Sequence, residues 1–228
     1  RIRFYPEKHL YTIDQVPAQA VSNLIGRFFP EFDIDYWSTR NAIKEGITSE
    51  ILAERWRQKG NEAPKAGTAL HEQIEQYFLG MPFERVDAFH LFEQFRADQE
   101  YLLPYRSEWR IFDESFGIAG TIDFIARNGQ MFEMYDWKRS KKVVNEWNGS
   151  PIIDNKFQQG IGPLKGVPDT SYNRYCVQQS FYRYILERRY GLQIEKMYLV
   201  VLYPSYQRYY KVEVPYQRDL VEKILRQL

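Results

Sequence analysis

Gly120-Thr121-Ile122-Asp123-Phe124-Ile125-Ala126-Arg127-Asn128-Gly129-Gln130-Met131-Phe132-Glu133-Met134-Tyr135-Asp136-Trp137-Lys138 reads as two strands joined by a tight turn. Asn-Gly is the strongest two-residue hairpin signal, because it tolerates the positive φ of a type I′ turn. With Asn128 and Gly129 as the central pair, Asp123 lies opposite Met134. Asp136 is then its diagonal neighbour on the same face, roughly 7–8 Å away at Cα. Lys138 follows Asp136 by two residues and projects from that face, whereas Glu133 and Trp137 project from the other. The hairpin thus gathers two carboxylates and an ammonium, and carboxylates so spaced can share a cation. A bulge at Gly129 would flip the register and scatter them.

Two helical segments carry further polar pairs. Gly67-Thr68-Ala69-Leu70-His71-Glu72-Gln73-Ile74-Glu75 opens a helix expected to stop at Gly80, and its His71 and Glu75 share a face four residues apart. Imidazole suits Mn²⁺ better than Mg²⁺, so a histidine beside two aspartates fits a site that accepts either ion. The run from Tyr172 to Leu186 is long and periodic enough for a helix, and it places Gln178 and Tyr182 four apart. His9 and His90 have no comparable context.

In chain order, the Gly-Thr-x-x-His-x-x-x-Glu helix, Gly-x-x-Asp strand, Asp-Trp-Lys strand and Gln-x-x-x-Tyr helix resemble the RecB-like branch of the PD-(D/E)XK nuclease superfamily. The resemblance covers about residues 64 to 203. The stretch from Asp169 to Gly191 looks most like the phage and mobile-element exonucleases of that branch, relatives of the mitochondrial genome-maintenance exonuclease. It implies an α/β fold with a restriction-endonuclease-like core, a central mixed β-sheet flanked by helices and an N-terminal helical extension. It implies a Mg²⁺- or Mn²⁺-dependent deoxyribonuclease, an exonuclease of phage-type recombination, repair or replication. A site- or structure-specific endonuclease would use the same residues, and a non-catalytic DNA-binding module would keep the same fold. Carried over residue by residue, His71, Asp123, Asp136 and the backbone carbonyl of Trp137 become metal ligands, and Lys138 acts on the attacking water. Gln178 and Tyr182 lie near the scissile strand. Glu75 is a ligand or a supporting residue. Glu108, on the preceding strand, falls where relatives often have an acid. Partners implied are DNA and a recombinase, single-strand-binding protein or helicase.

The residue types suit that chemistry on physical grounds, since a phosphodiester is anionic and water near neutral pH is a poor nucleophile. Bound metal answers both problems, and aspartates supply the hard oxygens Mg²⁺ prefers. Lys138 can orient the nucleophile, compensate charge on phosphorus, or act as a base if its pKa is lowered.

Composition bounds the remainder. The chain has 228 residues, 44% hydrophobic, enough for one domain with a substantial core. Its 31 basic and 30 acidic residues nearly cancel, so DNA affinity must come from local patches such as Lys138, Arg139, Lys141 and Lys142. Some of its 18 tyrosines could stack on unpaired bases. No stretch approaches the roughly 20 apolar residues of a membrane span, and Arg1-Ile2-Arg3-Phe4-Tyr5 lacks a signal-peptide core, so no membrane partner is expected. The absent initiator Met suggests a trimmed start. Cys176, the single cysteine, excludes an internal disulfide and a four-cysteine iron-sulfur cluster and suits a cytoplasmic location. Gly160-Ile161-Gly162-Pro163-Leu164-Lys165-Gly166 lacks the Gly-Lys-Ser/Thr ending of a phosphate loop, so no nucleotide cofactor is expected.

The expected organisation is a mainly helical part over 1–63, a nuclease core over 64–214 and a C-terminal helix over 215–228. Before the core, an extended N-terminal segment precedes helices at Ala18 to Phe28, Asp35 to Lys44 and Ser49 to Lys59, the last capped by Ser49. A further helix spans Val86 to Leu103. Residues 141 to 171, with Asn-Gly, Gly-Pro and Pro-Asp steps, predict a long loop beside the hairpin.

Overall fold

The computed structural model describes residues 1–8 and 10–228; His9 lies outside the described residues. The hairpin is β5 (Ile118–Asn128) and β6 (Met131–Lys138), with its turn one residue later than expected. Asn128 pairs with Met131, so Gly129 and Gln130 are the central residues. Gly129 has φ +60° and Gln130 is not at positive φ, the pattern of a type II′ turn, which wants glycine first. A type I′ turn would have asked the left-handed conformation of Asn128 as well, whereas here glycine alone adopts it. The displacement moves the cross-strand register by two, so parity survives. Pairing ends at Phe124 with Tyr135. The next residues on the two strands are Asp123 and Asp136, brought directly opposite instead of diagonal.

β4 (Leu103–Asp113) runs antiparallel to β5 along nearly its whole length, and β7 (Ile194–Val201) runs parallel to β6. β8 (Tyr210–Glu213) closes that side antiparallel to β7. On the other side lies a meander that the sequence reading missed: β1 (Ile2–Tyr5), β2 (Leu10–Ile13) and β3 (Val16–Ala20), with β3 joining β5 in parallel. Residues 1–63 open on this meander, where the sequence predicts only an extended segment, and turn helical from Val21. Residues 18–20, expected in a helix, belong to β3, and the helix proper, α1, spans only Val21–Gly26. The whole is an α/β architecture with one mixed eight-stranded sheet flanked by helices.

The helices at Ser49 and Gly67, expected as two, are one: α3 (Ser49–Leu79) runs 31 residues through Pro64. Thr48, not Ser49, caps it, its side chain accepting from the Ile51 N–H. Gly80 ends it at φ +65°. Leu52 and Ala53 bury one end against α2 (Ile34–Glu45), Leu70 and Ile74 bury the other against the core, and Arg57 to Lys65 is exposed throughout. There water can satisfy the carbonyl that Pro64 leaves without a donor.

α4 (Phe89–Asp98) is shorter than the expected Val86 to Leu103, and its Phe92 and Phe95 meet Trp137 edge to face at 5.5 and 5.3 Å. α5 (Ser171–Ile185) lies over the Asp136 face, and α6 (Arg218–Leu225) packs beside it. The long loop expected over 141–171 is found over 141–170, broken by a 3-10 turn at Gly162–Leu164 and stitched down by buried Val143, Val144 and Leu164. Asn173 of α5 adds to this by donating to the carbonyls of Ile153 and Pro168.

Candidate metal centre

β4 occupies one edge of β5, so β3 and β6 must share the other. β3 takes Ile118 and Ala119, β6 takes Phe124 to Asn128, and Gly120 to Asp123 is left between them. The sheet forks at this point, and the fork opens a cavity of about 310 Å³ lined by His71, Glu108, Asp123, Asp136, Lys138, Gln178 and Tyr182. Residues from α3, β4, β5, β6 and α5 thus reach one space.

At its centre, one ligand atom each from His71, Glu108 and Asp123 lie within 4.8 Å of one another. His71 Nδ1 is 3.6 Å from Glu108 Oε1 and 3.6 Å from Asp123 Oδ2. Its Nε2 sits 2.9 Å from the Trp137 carbonyl, which can only accept, so the imidazole carries its proton there. A histidine fixed by a backbone carbonyl on one nitrogen presents the other for ligation. The Trp137 carbonyl, expected as a ligand, is placed to orient the imidazole. The Trp137 N–H in turn donates to Asp123 Oδ2 at 2.8 Å. Glu108 stands opposite Asp123 between the paired rows Ser107 with Phe124 and Trp109 with Ile122, yet its φ is +43°. A left-handed non-glycine residue inside a strand costs of order 1–3 kcal/mol and persists only where surroundings hold it.

Asp136 lies outside this cluster but adjoins it. Lys138 Nζ makes a close ion pair with Asp136 Oδ2, and Gln179 Nε2 donates to its Oδ1 at 2.7 Å. The ammonium also sits 4.3 Å from the centroid of the Tyr175 ring. Gln178 donates to the Tyr182 hydroxyl at 2.8 Å, and both line the cavity. Tyr182 explains the glycine of the Gly-x-x-Asp strand: a Cβ on Gly120 would lie 2.4 Å from Tyr182 Cε1. Gln179 was not legible, because α5 is buried on most sides and its polar residues carry no facial signal.

Burial and crowded charge set the electrostatics of the site. Burial pushes Asp123 up, against the pull of His71 and Lys138. Burial and the Asp123 charge raise Asp136 to about 6 despite Lys138. Burial acts to lower Lys138, but the charges of Asp136 and Asp123 outweigh it and hold the group well above its ordinary value. Burial likewise opposes protonation of His71, yet Asp123 and Glu108 hold its pKa at about 9. Imidazolium and ammonium therefore supply the positive charge these carboxylates demand. An imidazole nitrogen and two carboxylate oxygens are a donor set that could hold a metal ion.

Other expected residues fall further out. Glu75 lines a neighbouring cleft and is not in the cluster. The basic patch divides: Lys138 points into the site, Arg139 is ion-paired to Asp87 at 2.7 Å, and only Lys141 and Lys142 are exposed. Lys141 lies 5.1 Å from the Tyr203 ring centroid. His90 Nδ1 is 3.0 Å from the Asp87 carbonyl, and His90 does not line the cavity. No family model matches the chain, and no curated protein matches it.

Proposed function

We propose that the chain is a divalent-metal-dependent deoxyribonuclease with a restriction-endonuclease-like core, of the PD-(D/E)XK type that its motif order resembles, acting from DNA ends. The observation that carries this reading is the convergence of His71, Glu108 and Asp123 within 4.8 Å, with the Asp136–Lys138 pair beside them in the same cavity. His71, Glu108 and Asp123 would hold Mg²⁺ or Mn²⁺, and Asp136 would join them as Lys138 turns toward an arriving phosphate. When bound, the ion would activate the attacking water and offset charge at the scissile phosphate.

Asp136 and Asp123 hold Lys138 protonated in the metal-free site, which suits it to orienting water or neutralising charge on phosphorus. Gln179 holds one oxygen of Asp136, leaving the other toward Lys138 and the cavity. Gln178 steadies the Tyr182 hydroxyl at the cavity wall. The preference for ends rests on the resemblance alone.

Digestion of end-labelled linear single- and double-stranded DNA beside a closed circle, with Mg²⁺, Mn²⁺ or EDTA, tests this reading. Metal-dependent loss of linear substrate alone is expected, with Lys138→Ala slowing it by roughly 10²–10³-fold while keeping DNA binding. Cutting of the circle would make the protein an endonuclease. Binding without cleavage of any substrate would make it a non-catalytic module, and full activity in Lys138→Ala would remove the mechanism.

A further inference from the structure

Beside the metal cluster, a cleft of about 450 Å³ runs between α3 and the strand β1. It shares Thr68, His71, Glu108 and Thr121 with the catalytic cavity, so the two form one groove. Three carboxylates, Glu72, Glu75 and Glu108, stand in its wall, and Arg110 is the one guanidinium among them. Among the described residues, the Arg110 guanidinium makes no ion pair within 4.0 Å and no hydrogen bond. The other arginines nearby are engaged: Arg106 lies 4.7 Å from the Tyr105 ring centroid, and Arg139 is paired to Asp87.

Arg110 is also rooted where a second phosphate would fall. It follows Glu108 by two residues on β4 and pairs across the strands with Thr121, two rows from Asp123 on the same face. That spacing is roughly 7 Å along the strand, and the guanidinium extends it into the cleft. A nucleic-acid strand with one phosphate at the cluster presents the next one nucleotide away. Glu72 and Glu75 would repel that phosphate from the helix wall, leaving Arg110 as its seat.

We propose that Arg110 binds the phosphodiester adjacent to the one cleaved and fixes the strand's path along the groove. This assignment rests on the nuclease reading. A guanidinium offers a phosphate two parallel N–H donors, so lysine would recover charge but not the fork. Arg110 is a positioning residue: it acts by placing the strand and does not touch the reacting atoms.

The test measures binding of a labelled single-stranded oligonucleotide by fluorescence anisotropy across a salt series, in a Lys138→Ala background, together with steady-state cleavage by chains that retain Lys138. Arg110→Ala should weaken binding about tenfold and reduce the magnitude of the salt slope by about 0.7, one phosphate contact. KM should rise by a similar factor, with a smaller change in kcat, and Arg110→Lys should recover part of each effect. Circular dichroism and the melting temperature confirm that each variant folds. Unchanged affinity, slope and KM in a folded Arg110→Ala chain would overturn the assignment while wild-type cleavage left the nuclease reading standing. An equal loss in Arg106→Ala would overturn it too, by showing that any β4 cation suffices. A wild-type chain that neither binds nor cleaves DNA would end both readings.

Discussion

Because the Trp137 carbonyl can only accept, the His71 proton on Nε2 is fixed and the second proton, on Nδ1, is the one a metal must displace. With the His71 pKa held at about 9, that proton is present throughout the neutral range. Apparent Mn²⁺ affinity should therefore rise about tenfold per pH unit between roughly pH 6.5 and 9 and then level off. Calorimetry at neutral pH in two buffers of different ionisation enthalpy should show about one proton released per ion; release of none would contradict the placement of His71. The metal-free protein responds in the opposite sense. A folded-state pKa raised above the unfolded value gives stability that is complete below the unfolded pKa and lost as pH climbs through the folded one. For His71 that loss runs from about 6.5 to about 9, and for Asp136 from about 3.8 to about 6. At this scale the sequence exposed Asp123, Asp136, Lys138 and His71, because strand parity and helical spacing are periodic signals. It left Glu108 undecided, since no periodic rule foretells that a strand residue will take φ +43°.

Elements with an amphipathic stripe or a glycine stop were legible, and those that depend on a partner were not. The β5–β6 hairpin and the helix ending at Gly80 follow from local signals. The N-terminal meander does not, because its β2–β3 turn is built from Asp14 and Gln15 at φ +49° and +70°, without the glycine or asparagine that marks such turns. Gly60 and Pro64 interrupt the periodicity of α3, so the sequence predicts two helices there, whereas burial of its two ends on different surfaces carries the helix across. The turn supplies its own test. Gln15 is exposed, and a left-handed residue with a Cβ costs roughly 1–2 kcal/mol, part of which glycine forfeits in chain entropy. Gln15→Gly should stabilise the fold by about 0.5–1 kcal/mol, raising the melting temperature by roughly 1–4 °C at this chain length. A lower melting temperature would show that the turn is not strained.

Across the whole molecule, the cluster joins parts of the chain that no short stretch contains: His71 from a long helix, Glu108 from one strand and Asp123 from the next, with Asp136 on a third. Its order along the sequence was readable, but its closure was not, because the fork arises from β3 and β6 sharing one edge of β5, a long-range fact of topology. Net charge of +1 had already pointed away from a broadly basic DNA-binding surface, and among the described residues no helix is long and apolar enough to cross a membrane. An ion held by His71, Glu108 and Asp123 would tie α3 to the sheet and would be felt as global stability. Binding only to the native state adds about 2.7 kcal/mol at a free concentration one hundredfold above Kd, which for a chain of this length is roughly 5–10 °C in melting temperature. Mn²⁺ should produce that shift at pH 8 and EDTA should reverse it. Glu108→Gln should lose most of the shift while melting no lower than wild type in EDTA, since it removes one of the crowded carboxylates. A full Mn²⁺ shift in Glu108→Gln would place the ion elsewhere and return the cluster to Asp123 and Asp136 alone.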